Sequence, residues 1–427
     1  MMVGMKSAAW EMAAAVVCGL SLPLFADLAL VVAGNCLAAL RRPRRDASAA
    51  SWTGVLGIVI PAHNEERMIA RTVASVCASV CASVQASVQA SLRTSVESAA
   101  ARAPDGRARI LVVAHNCADG TAAAARAAGA EVIEVSDDGR AGKSAALRAG
   151  FAAARAMGCA AFAVVDADSA VSLGFVRAME RALAAGAEAA QCRYEQDAGD
   201  QAQLSAGERL RMLAFRGMNV VRGGGRAALG CSCGIFGNGF LLTAALLERV
   251  PYAASSIAED AEHHAELVAR GVRVQWVEDA RVTAPLARTR SAHDSQEARW
   301  EGGRLRVGLE VAPRLLASAL RGNLSAGEAL LAALSLPFSL GLLAALGCVA
   351  MPVGWSRMYG AACVGVSVLY LAQAAQRADD PLREWQALAA APVFAARKLA
   401  LLPRIVAQAG RRAAWVRTGR ERSEDEC

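Results

Sequence analysis

The segment that most constrains this chain is CAAFAVVDADS, which runs from Cys159 to Ser169. Residues 160–165 are all apolar, which is typical of a strand buried on both faces of a parallel sheet. Ligands of open α/β sheets bind beyond the carboxyl ends of the strands, where Asp166 and Asp168 stand in this sequence. Two such carboxylates can share a hard divalent cation, which takes its other ligands from water and a substrate diphosphate. An ordinary turn is the alternative, because Asp and Ser are also common after strands.

Short apolar runs alternate with helical patterns before this segment. The patterns predict strands at 54–60, 109–114 and 130–135, a helix at 121–128 and a second helix from about residue 143. Lys143 near a helix N-terminus would favour an anion there. The alternation of strand and helix up to Asp168 predicts a Rossmann-like parallel sheet.

An internal repeat follows the first predicted strand. The motif Ala-Ser-Val-x recurs every four residues from Ala74 to Gln89 and then decays. On a helix of about 3.6 residues per turn, a valine stripe with this period stays on one face for about two turns and then drifts away from it. We interpret residues 74–103 as a helix lengthened by repeat expansion, without chemistry of its own.

After Asp168 the alternation of strand and helix breaks down. The pattern predicts a helix that ends near Val221 and then a glycine-dense loop at 223–239, whose backbone can lie close to a ligand. A helix that opens at 257–260 and a strand at 272–277 follow. The pair His263-His264 lies in that helix without metal-ligand spacing, and we expect it at the surface.

Apolar residues are concentrated at the two ends of the chain. Overall, 55% of the residues are hydrophobic and 20% are charged, which is too apolar an average for a purely soluble protein. Residues 8–40 can span a bilayer and precede a basic run at 41–45. This pattern predicts an N-terminal anchor over residues 1–45 with its C-terminal side in the cytoplasm. A cleaved signal peptide is the alternative.

The C-terminal part predicts further membrane segments. We expect an interfacial helix at 309–325, a transmembrane helical hairpin at 326–376 and a basic amphipathic tail on the cytoplasmic leaflet at 377–427. Residues 46–308 then form a cytoplasmic domain. The protein is predicted to be a multi-pass protein of the inner (cytoplasmic) membrane.

The charge and the cysteines narrow the classes of partner. The net charge of +7 comes from basic residues that cluster next to the apolar segments, which favours membrane lipids as partners. Nucleic-acid binding is disfavoured, because only 5% of the residues are aromatic and no basic–aromatic motif is present. The twelve cysteines give no disulfide framework, and neither they nor the five histidines have zinc-site spacing.

Four motifs, taken together, resemble glycosyltransferase family 2, in particular its membrane-anchored, cellulose-synthase-like branch. PAHNEE at 61–66 resembles the family's first nucleotide-contacting loop, and the Asp-Ala-Asp at 166–168 matches its D-x-D. Ala-Glu-Asp at 258–260 matches T-E-D with Ala for Thr, and QEARW at 296–300 matches Q-x-x-R-W. In this order and spacing the set is strongly specific. The resemblance covers residues 55–308 and implies a GT-A fold, the Rossmann-like mixed sheet of nucleotide-diphospho-sugar transferases, flanked by transmembrane helices.

The resemblance also implies a role for each matching residue. Asp168 and Asp166 would hold Mg²⁺ or Mn²⁺, and Asp260 would be the general base of an inverting transfer. The residues that bind the nucleotide-sugar donor would be Pro61, His63, Asn64, Glu65, His115, Lys143, Asp166 and Arg299. The residues that bind the acceptor would be Asn238, Gly239, Glu259, Gln296 and Trp300. This interpretation requires the three aspartates to meet around one cleft.

Two departures from the family pattern bear on the substrates. The family's second loop usually carries an acidic residue that pairs with uracil, whereas this chain has His115 there and its nearest carboxylate at Asp119. Three predicted transmembrane spans are a small number to enclose a channel for a polymer. This favours a single or limited transfer, or else a homo-oligomer or polysaccharide-assembly partners. We expect transfer from a UDP-sugar to a lipid-linked or polysaccharide acceptor in surface glycan synthesis.

Three other functions remain open. A glycolipid glucosyltransferase with a ceramide-type acceptor would share the motifs. A non-catalytic membrane scaffold could keep the fold, although the intact carboxylates argue against it. A nicotinamide-dependent oxidoreductase is disfavoured, because the first strand–turn lacks G-x-G-x-x-G.

Overall fold

The structure, a computed structural model, describes residues 2–41, 52–94, 108–137, 142–199, 203–256, 258–286 and 290–410. The strands in these ranges are β1 (Leu56–Ala62), β2 (Ala108–His115), β3 (Glu131–Val135), β4 (Ala161–Val164), β5 (Ala170–Val171), β6 (Ala189–Asp197), β7 (Phe240–Thr243) and β8 (Val274–Pro285). They form one sheet in the order β3-β2-β1-β4-β7-β6-β8-β5. The first four are parallel, and β7 is antiparallel to β4, so the predicted mixed α/β sheet is confirmed.

The helices of the described chain surround this sheet and extend away from it. They are α1 (Met2–Leu40), α2 (Glu66–Thr94), α3 (Thr121–Ala127), α4 (Gly142–Ala156), α5 (Phe175–Ala184), α6 (Ala206–Arg216), α7 (Arg222–Ala228), α8 (Ala244–Arg249), α9 (Glu259–Ala269), α10 (Arg290–Leu320), α11 (Leu324–Ala333), α12 (Phe338–Ala350), α13 (Gly354–Ala375), α14 (Pro381–Ala387) and α15 (Ala391–Ala409).

The central strands are apolar because both faces of the sheet are covered. In β1, Ile58 and Ile60 pack in a core with α2, α3 and α5, whereas Val59 packs in a second core with α4, α8 and α9. Successive residues of a strand point to opposite faces, so a strand between two helical layers needs an uninterrupted apolar run. The same argument explains why sequence patterns found β1 to β4 and the start of β8.

Three strands were not predicted. β5 has two residues and β7 has four, which is too short for a periodic signal. The last four residues of β6, 194–197, are polar or aromatic, so their composition does not indicate a buried strand. Cross-strand pairing with β8 keeps this segment extended in spite of its composition.

The register of the sheet brings three chain exits together. β1 and β2 pair in parallel up to Ala62 and Ala114, and β4 joins the other side of β1 in the same direction. The chain therefore leaves these strands at one edge, at His63, His115 and Asp166. This edge is where ligands of parallel α/β sheets bind.

The four-residue repeat lies in α2, which packs against the sheet and α5. Val76 is fully buried, whereas Val80 is only partly buried, as the drift of the stripe predicts. The serines of the repeat make specific contacts: Ser79 Oγ donates to the Leu173 carbonyl at 3.1 Å and accepts from the Val176 N–H at 3.0 Å. Residues 95–103 of the predicted expansion lie outside the described residues. Residues 66–85 are long and apolar enough to span a membrane. They are buried against the sheet, however, and therefore belong to the α/β domain.

Replacing Ser79 by Ala is expected to destabilise the protein by about 1–3 kcal/mol, because the Leu173 carbonyl and the Val176 N–H lose their partner inside the fold. Urea unfolding in detergent measures the change. Cys81→Ala, at an exposed position of the same helix, is the matched control and should shift stability by less than about 0.5 kcal/mol. Equal midpoints for the two variants would show that the repeat serines do not hold α2 in place.

The predicted glycine-dense loop begins as a helix, so the loop prediction is wrong for 223–225. These residues belong to α7, which continues α6 after a π-helical turn at Gly217–Val221. A Cβ on Gly225 would lie 2.4 Å from the Val31 carbonyl oxygen of α1. The glycines therefore allow two helix backbones to touch, and only residues 229–239 remain as a loop.

The membrane-side helices differ from the predicted hairpin. α1 and α13 are each long and apolar enough to cross a membrane, and α11 with α12 passes the same test as a pair that is bent by 83°. Pro337, which has no backbone N–H, lies at the N-terminal end of α12, so the first predicted arm is a broken helix. The helix α10 runs from 290 to 320 and so continues across the domain boundary predicted at residue 308. Gly308 lies at a close contact between α10 and α11, where a Cβ would lie 2.2 Å from the Ala333 carbonyl oxygen.

Residues 42–45 and 411–427, which carry much of the predicted basic charge, lie outside the described residues.

A buried ion cluster joins α1 to the α/β domain. Asp27 of α1 is fully buried, and its two carboxylate oxygens lie 2.5 Å from Arg222 Nη2 and 2.6 Å from Arg226 Nη2, both of α7. Arg226 also pairs with Glu328 of α11. Removing these charges from water is costly and is tolerated only because each group has an opposite charge in contact.

Asp27→Asn is expected to cost about 3–5 kcal/mol, because it leaves Arg222 and Arg226 buried side by side with one carboxylate fewer. The thermal midpoint of the detergent-purified protein measures the loss. Glu11→Gln, which changes an exposed carboxylate of the same helix beside Trp355, should cost less than about 1 kcal/mol. A small effect of Asp27→Asn would mean that apolar packing alone holds α1.

Candidate active site

A cavity of about 2550 Å³ begins at the carboxyl edge of the sheet and extends between the membrane-side helices. Its sheet end is lined by Pro61, His63, Glu65, His115, Lys143, Asp166, Asp168, Glu259 and Asp260. Its other end is lined mostly by apolar residues of α11, α12 and α15. Small-molecule pockets usually measure about 300–1,000 Å³, so this cavity has room for more than one ligand.

Lys143 fixes the sheet end of the cavity. It lies in the first turn of α4, and its Nζ donates to Asp166 Oδ1 at 2.5 Å and to the Gly237 carbonyl at 2.7 Å. Burial alone would lower the pKa of Lys143, but the carboxylates of Asp166 and Glu259 outweigh it and raise that pKa. The lysine is therefore a permanent cation that ties the end of β4 to the loop before β7.

Asp168 lies on the cavity wall beside a buried hydrogen-bond chain. Ser169 Oγ donates to Asp168 Oδ1 at 3.3 Å, and Asn238 Nδ2 donates to Ser169 Oγ at 2.9 Å. Asn238 Oδ1 also accepts from the Asp166 N–H at 3.1 Å. Within the described ranges, no group of three His, Cys, Asp or Glu residues could hold a metal ion by itself. The two aspartates nevertheless suit a cation such as Mg²⁺, which usually keeps waters and substrate phosphates as most of its ligands.

Glu259 and Asp260 lie in the first turn of α9. Asp260 Oδ1 accepts from the Ala261 N–H at 2.8 Å. The loop residue Gly237 has φ +75°, and a Cβ on it would lie 3.2 Å from Asp260 Oδ2, so glycine allows the loop to pass close to this carboxylate. Burial raises the pKa of Asp260, and burial together with the Asp260 charge raises the pKa of Glu259 to about 7.

Tyr194 of β6 lines the same cavity as Asp166, Asp168 and Asp260. Burial raises the pKa of its hydroxyl, and Asp166, Asp168 and Asp260 each raise it further. Phe215 holds the ring in an edge contact with 4.9 Å between centroids. Sequence reasoning missed Tyr194, because the strand that positions it was not predicted.

The two turns predicted to bind the nucleotide, which follow β1 and β2, are joined to each other by hydrogen bonds. His63 Nδ1 lies 2.8 Å from the His115 carbonyl oxygen, and Asn64, at φ 55°, accepts from the Ala118 N–H at 2.7 Å. The Glu65 N–H donates to Thr121 Oγ1 at 2.7 Å. These contacts join the turns after β1 and β2 directly behind the cavity wall.

His115 has a carboxylate partner that the sequence did not indicate. Its Nε2 lies 2.9 Å from Asp137 Oδ2, and Asp137 Oδ1 accepts from the Asn116 side chain at 2.9 Å. Asp119, the carboxylate closest in sequence, accepts from the N–H groups of Thr121 and Glu66 instead and does not line the cavity. The carboxylate nearest to His115 is therefore that of Asp137.

The residues predicted on the acceptor side fall into three groups. Trp300 lines the cavity, with 39% of its surface exposed and Phe215 packed against it at 6.0 Å between centroids. Asn238 and Gly239 lie behind the cavity wall: Asn238 is fully buried, and a Cβ on Gly239 would lie 2.4 Å from Cys192 Sγ. These two residues position the loop rather than line the cavity. Glu259, like Trp300, lines the cavity. Gln296 lies on α10 together with Arg299, which was predicted on the donor side, and the side chains of Gln296 and Arg299 are outside the described set.

Comparison with known families identifies the chain. A family model described as glycosyltransferase-like family 2 matches residues 80–303, which is more than half of the chain. The protein belongs to this glycosyltransferase family. The match contains Asp166, Asp168, Glu259 and Asp260 of the cavity wall, but not Glu65, and ends just after Trp300. No curated protein matches the chain.

Solved structures agree with the family at the level of the fold. The chain is similar to the mannosyltransferase PcManGT from Pyrobaculum calidifontis, solved in complex with GDP-Man and Mn²⁺, with 16% identity and a TM-score of 0.50. That alignment covers 94% of this chain and 97% of the other. Glucosyl-3-phosphoglycerate synthase from Mycobacterium tuberculosis is 22% identical over 65% of this chain and 84% of its own, with a TM-score of 0.39. The predicted GT-A fold is confirmed.

The two histidines of α9 are not at the surface, so that prediction is wrong. His263 is 2% exposed and packs against Tyr252, and His264 lines the cavity with Nε2 2.9 Å from Ser232 Oγ. Burial lowers the pKa of His263 to about 4 and that of His264 to about 3, so both are neutral at physiological pH. The helix turns this face toward α10 and the domain core rather than toward water.

The raised pKa of Glu259 predicts a pH dependence of stability. Because its pKa is about 7 in the folded protein and 4.5 ordinarily, the folded state binds more protons between these values, and stability should fall as the pH rises from about 4.5 to 7. Thermal midpoints measured across this range should decline less in Glu259→Gln, which should be more stable than the wild type above pH 7. Glu266→Gln in the same helix is the control and should keep the wild-type slope. Parallel curves for all three proteins would contradict the shift.

Proposed function

We propose that the protein is a membrane-bound, inverting glycosyltransferase that moves a sugar from a UDP-sugar to a lipid-linked or polysaccharide acceptor in surface glycan synthesis. One observation carries the proposal: Asp166, Asp168 and Asp260 lie on the wall of one cavity beside the cation of Lys143. Family membership supports sugar transfer. The order of the four motifs supports the cellulose-synthase-like branch.

The donor would bind across the carboxyl edge of the sheet. Pro61, His63, Asn64, Glu65 and His115 would hold the nucleoside. Lys143 and Arg299 would add positive charge at the diphosphate. PcManGT, which has the same fold, was solved with GDP-Man, so GDP-sugars belong in any donor panel.

A divalent cation, Mg²⁺ or Mn²⁺, would be held by Asp168 with Asp166 beside it. Bound there, it would supply Lewis-acid stabilisation of the negative charge on the departing diphosphate. Two findings support it: both carboxylates line the cavity, and the complex of PcManGT contains Mn²⁺. Lys143 already occupies one oxygen of Asp166, which makes Asp168 the principal ligand.

Asp260 would act as the general base. Its carboxylate would take the proton of the acceptor hydroxyl as that oxygen attacks the anomeric carbon from the face opposite the diphosphate. The new glycosidic bond forms while the bond to the diphosphate oxygen breaks with its electron pair, so the configuration is inverted. Burial raises the pKa of Asp260, which makes it a stronger base than an exposed aspartate. Trp300 would offer the acceptor sugar an apolar platform, with Glu259 and Gln296 at its edge.

The membrane would carry α1, α13 and the bent pair α11–α12, with the α/β domain on the cytoplasmic side of the inner membrane. The basic residues at 41–45 and along the C-terminal tail would face anionic lipids there. So few spans favour a single or limited transfer, or a homo-oligomer, over a polymer channel within one chain.

Asp168→Asn and Asp260→Asn are each expected to lower sugar transfer by at least about 100-fold, for different reasons. Asp168→Asn should also remove the Mn²⁺ dependence of donor binding, whereas Asp260→Asn should keep it. The measurements are the release of nucleoside diphosphate and the thermal shift with UDP- and GDP-sugars, with and without Mn²⁺.

Asp279→Asn, at an exposed site of β8 paired with Arg181, is the matched control and should keep wild-type activity. Full activity of Asp260→Asn would remove this residue as the base. Failure of every sugar nucleotide to stabilise the wild-type protein, with or without metal, would overturn the proposed function.

A further inference from the structure

The cavity continues well beyond the space that a donor sugar needs. Past Trp300 it is lined by an apolar arm, which we define as Leu336, Phe338, Leu342, Leu346, Leu402 and Val406. These residues belong to the break before α12, to α12 itself and to α15. α12 belongs to the bent pair that is apolar enough to enter a bilayer, and α15 packs against α10 and α12, so the arm connects the carboxylate site with that pair.

Arg304 lines the cavity close to Trp300 and the apolar arm. Arg304 follows Trp300 by four residues on α10, so the two side chains share one helix face about one turn apart. Both line the cavity. Among the described residues, no carboxylate forms an ion pair with Arg304, and its recorded polar contact is Met218 Sδ at 3.5 Å.

The acidic groups around Arg304 are already engaged elsewhere. Asp27 pairs with Arg222 and Arg226, and Arg226 also takes Glu328. Glu301, one turn before Arg304, lies 2.9 Å from Lys398 Nζ of α15, which also pairs with Glu297.

The arginines in this region therefore outnumber the carboxylates in contact with them. Asp27 and Glu328 pair with Arg222 and Arg226, whereas none of the described carboxylates lies within ion-pair distance of Arg304. Burial and the like charge of Arg222 lower the pKa of Arg304, and the carboxylates of Glu301 and Asp260 oppose this from longer range. A guanidinium that lines a cavity without a direct ion pair can take an anionic ligand, because a partly buried charge is costly until it is paired. Arginine is particularly suited to phosphate, which it can bind through two hydrogen bonds.

We propose that Arg304 binds the phosphate headgroup of a lipid-linked acceptor whose hydrocarbon chain lies in the apolar arm. The inference rests on the proposed function and specifies the acceptor class for that same site. A sugar stacked on Trp300 and a phosphate on Arg304 are separated by one helical turn, about 5.4 Å, which suits a sugar joined directly to a lipid phosphate. A neutral, ceramide-type acceptor would leave Arg304 without a counter-charge.

The donor diphosphate does not account for Arg304. The donor end of the cavity has its own cation in Lys143, which contacts Asp166 and the loop before β7. Arg304 lies on the acceptor side, one turn beyond Trp300 and next to the apolar arm. Lys143 and Arg304 lie at different parts of the cavity, and the volume of about 2550 Å³ has room for two ligands.

The test is competition binding in nanodiscs of neutral lipid, with a fluorescent polyprenyl monophosphate as the probe. Unlabelled polyprenyl monophosphate should displace the probe at a concentration at least about tenfold lower than the matching polyprenol, because one charge-assisted contact distinguishes the two lipids. Arg304→Gln should reduce this preference to less than about threefold, and Arg304→Lys should retain part of it.

Arg314→Gln is the matched control, because Arg314 lies on the same helix with 74% of its side chain exposed, and it should leave the preference unchanged. Equal competition by polyprenol and polyprenyl monophosphate in the wild type would overturn the proposal even if Arg304→Gln failed to fold. A full preference in folded Arg304→Gln would also overturn it. Inorganic phosphate that competes as well as the lipid would replace the lipid site with a simple anion site.

Donor binding, measured in parallel, separates this inference from the proposed function. Folded Arg304→Gln should bind sugar nucleotides with Mn²⁺ as the wild type does, which supports a role on the acceptor side alone. A matching loss of donor binding in Arg304→Gln would assign the arginine to the donor diphosphate and overturn the inference. If no sugar nucleotide binds the wild type, the proposed transferase falls, whereas a phosphate-dependent lipid preference would still stand by itself.

Discussion

The arrangement of the whole chain depends on a carboxylate buried between two arginines. Asp27 belongs to an apolar helix, and α7, which carries Arg222 and Arg226, is inserted between the strands of the sheet domain. In a medium of low dielectric constant, a single charge would have to be neutralised or exposed, so the helices can associate only in the position that pairs the charges. Glu328 extends the same requirement to α11. Apolar contacts alone allow helices to slide, whereas this cluster fixes how α1 and α11 pack against the α/β domain.

A second ion pair, between Lys143 and Asp166, holds together the segments at the other end of the cavity. Lys143 connects the end of β4, through Asp166, with the carbonyl of Gly237 in the loop before β7. The same loop has a positive φ at Gly237 and passes within 3.2 Å of the Asp260 carboxylate, measured from a Cβ built on that glycine, so both features favour glycine there. The three aspartates are thereby brought together from segments that are far apart in the sequence. The cavity between the two ion pairs joins a polar end at the sheet to an apolar end at the membrane helices.

The sequence predicts those parts of the structure whose pattern lies within a single strand or helix. The central strands are short apolar runs between two helical layers, and their pattern is local, so β1 to β4 were found. The carboxylates after β4 and at the start of α9 follow such local elements as well. By contrast, the triple glycine of α7 is helical because the backbone of α1 passes beside it, and its composition by itself favours a loop. Tyr194, Asp137 and Arg304 owe their positions to strand pairing and helix packing, which a single sequence does not display.

Under the proposed function, the opposite character of the two ends of the cavity accounts for an α/β domain combined with a few helices that are long and apolar enough to cross a membrane. A nucleotide donor comes from water and carries two phosphates, so it suits the open edge of the sheet, where its charge can be balanced by Lys143 and a cation on Asp168. A lipid acceptor comes from the bilayer and has one apolar end, so it suits the arm beside α12 and α15. Trp300 and Arg304 lie one turn apart on α10. The donor would enter from the edge of the sheet and the acceptor from the apolar arm, so the two substrates would meet beside Asp260. In that arrangement the membrane helices need only deliver an acceptor and do not need to enclose a polymer.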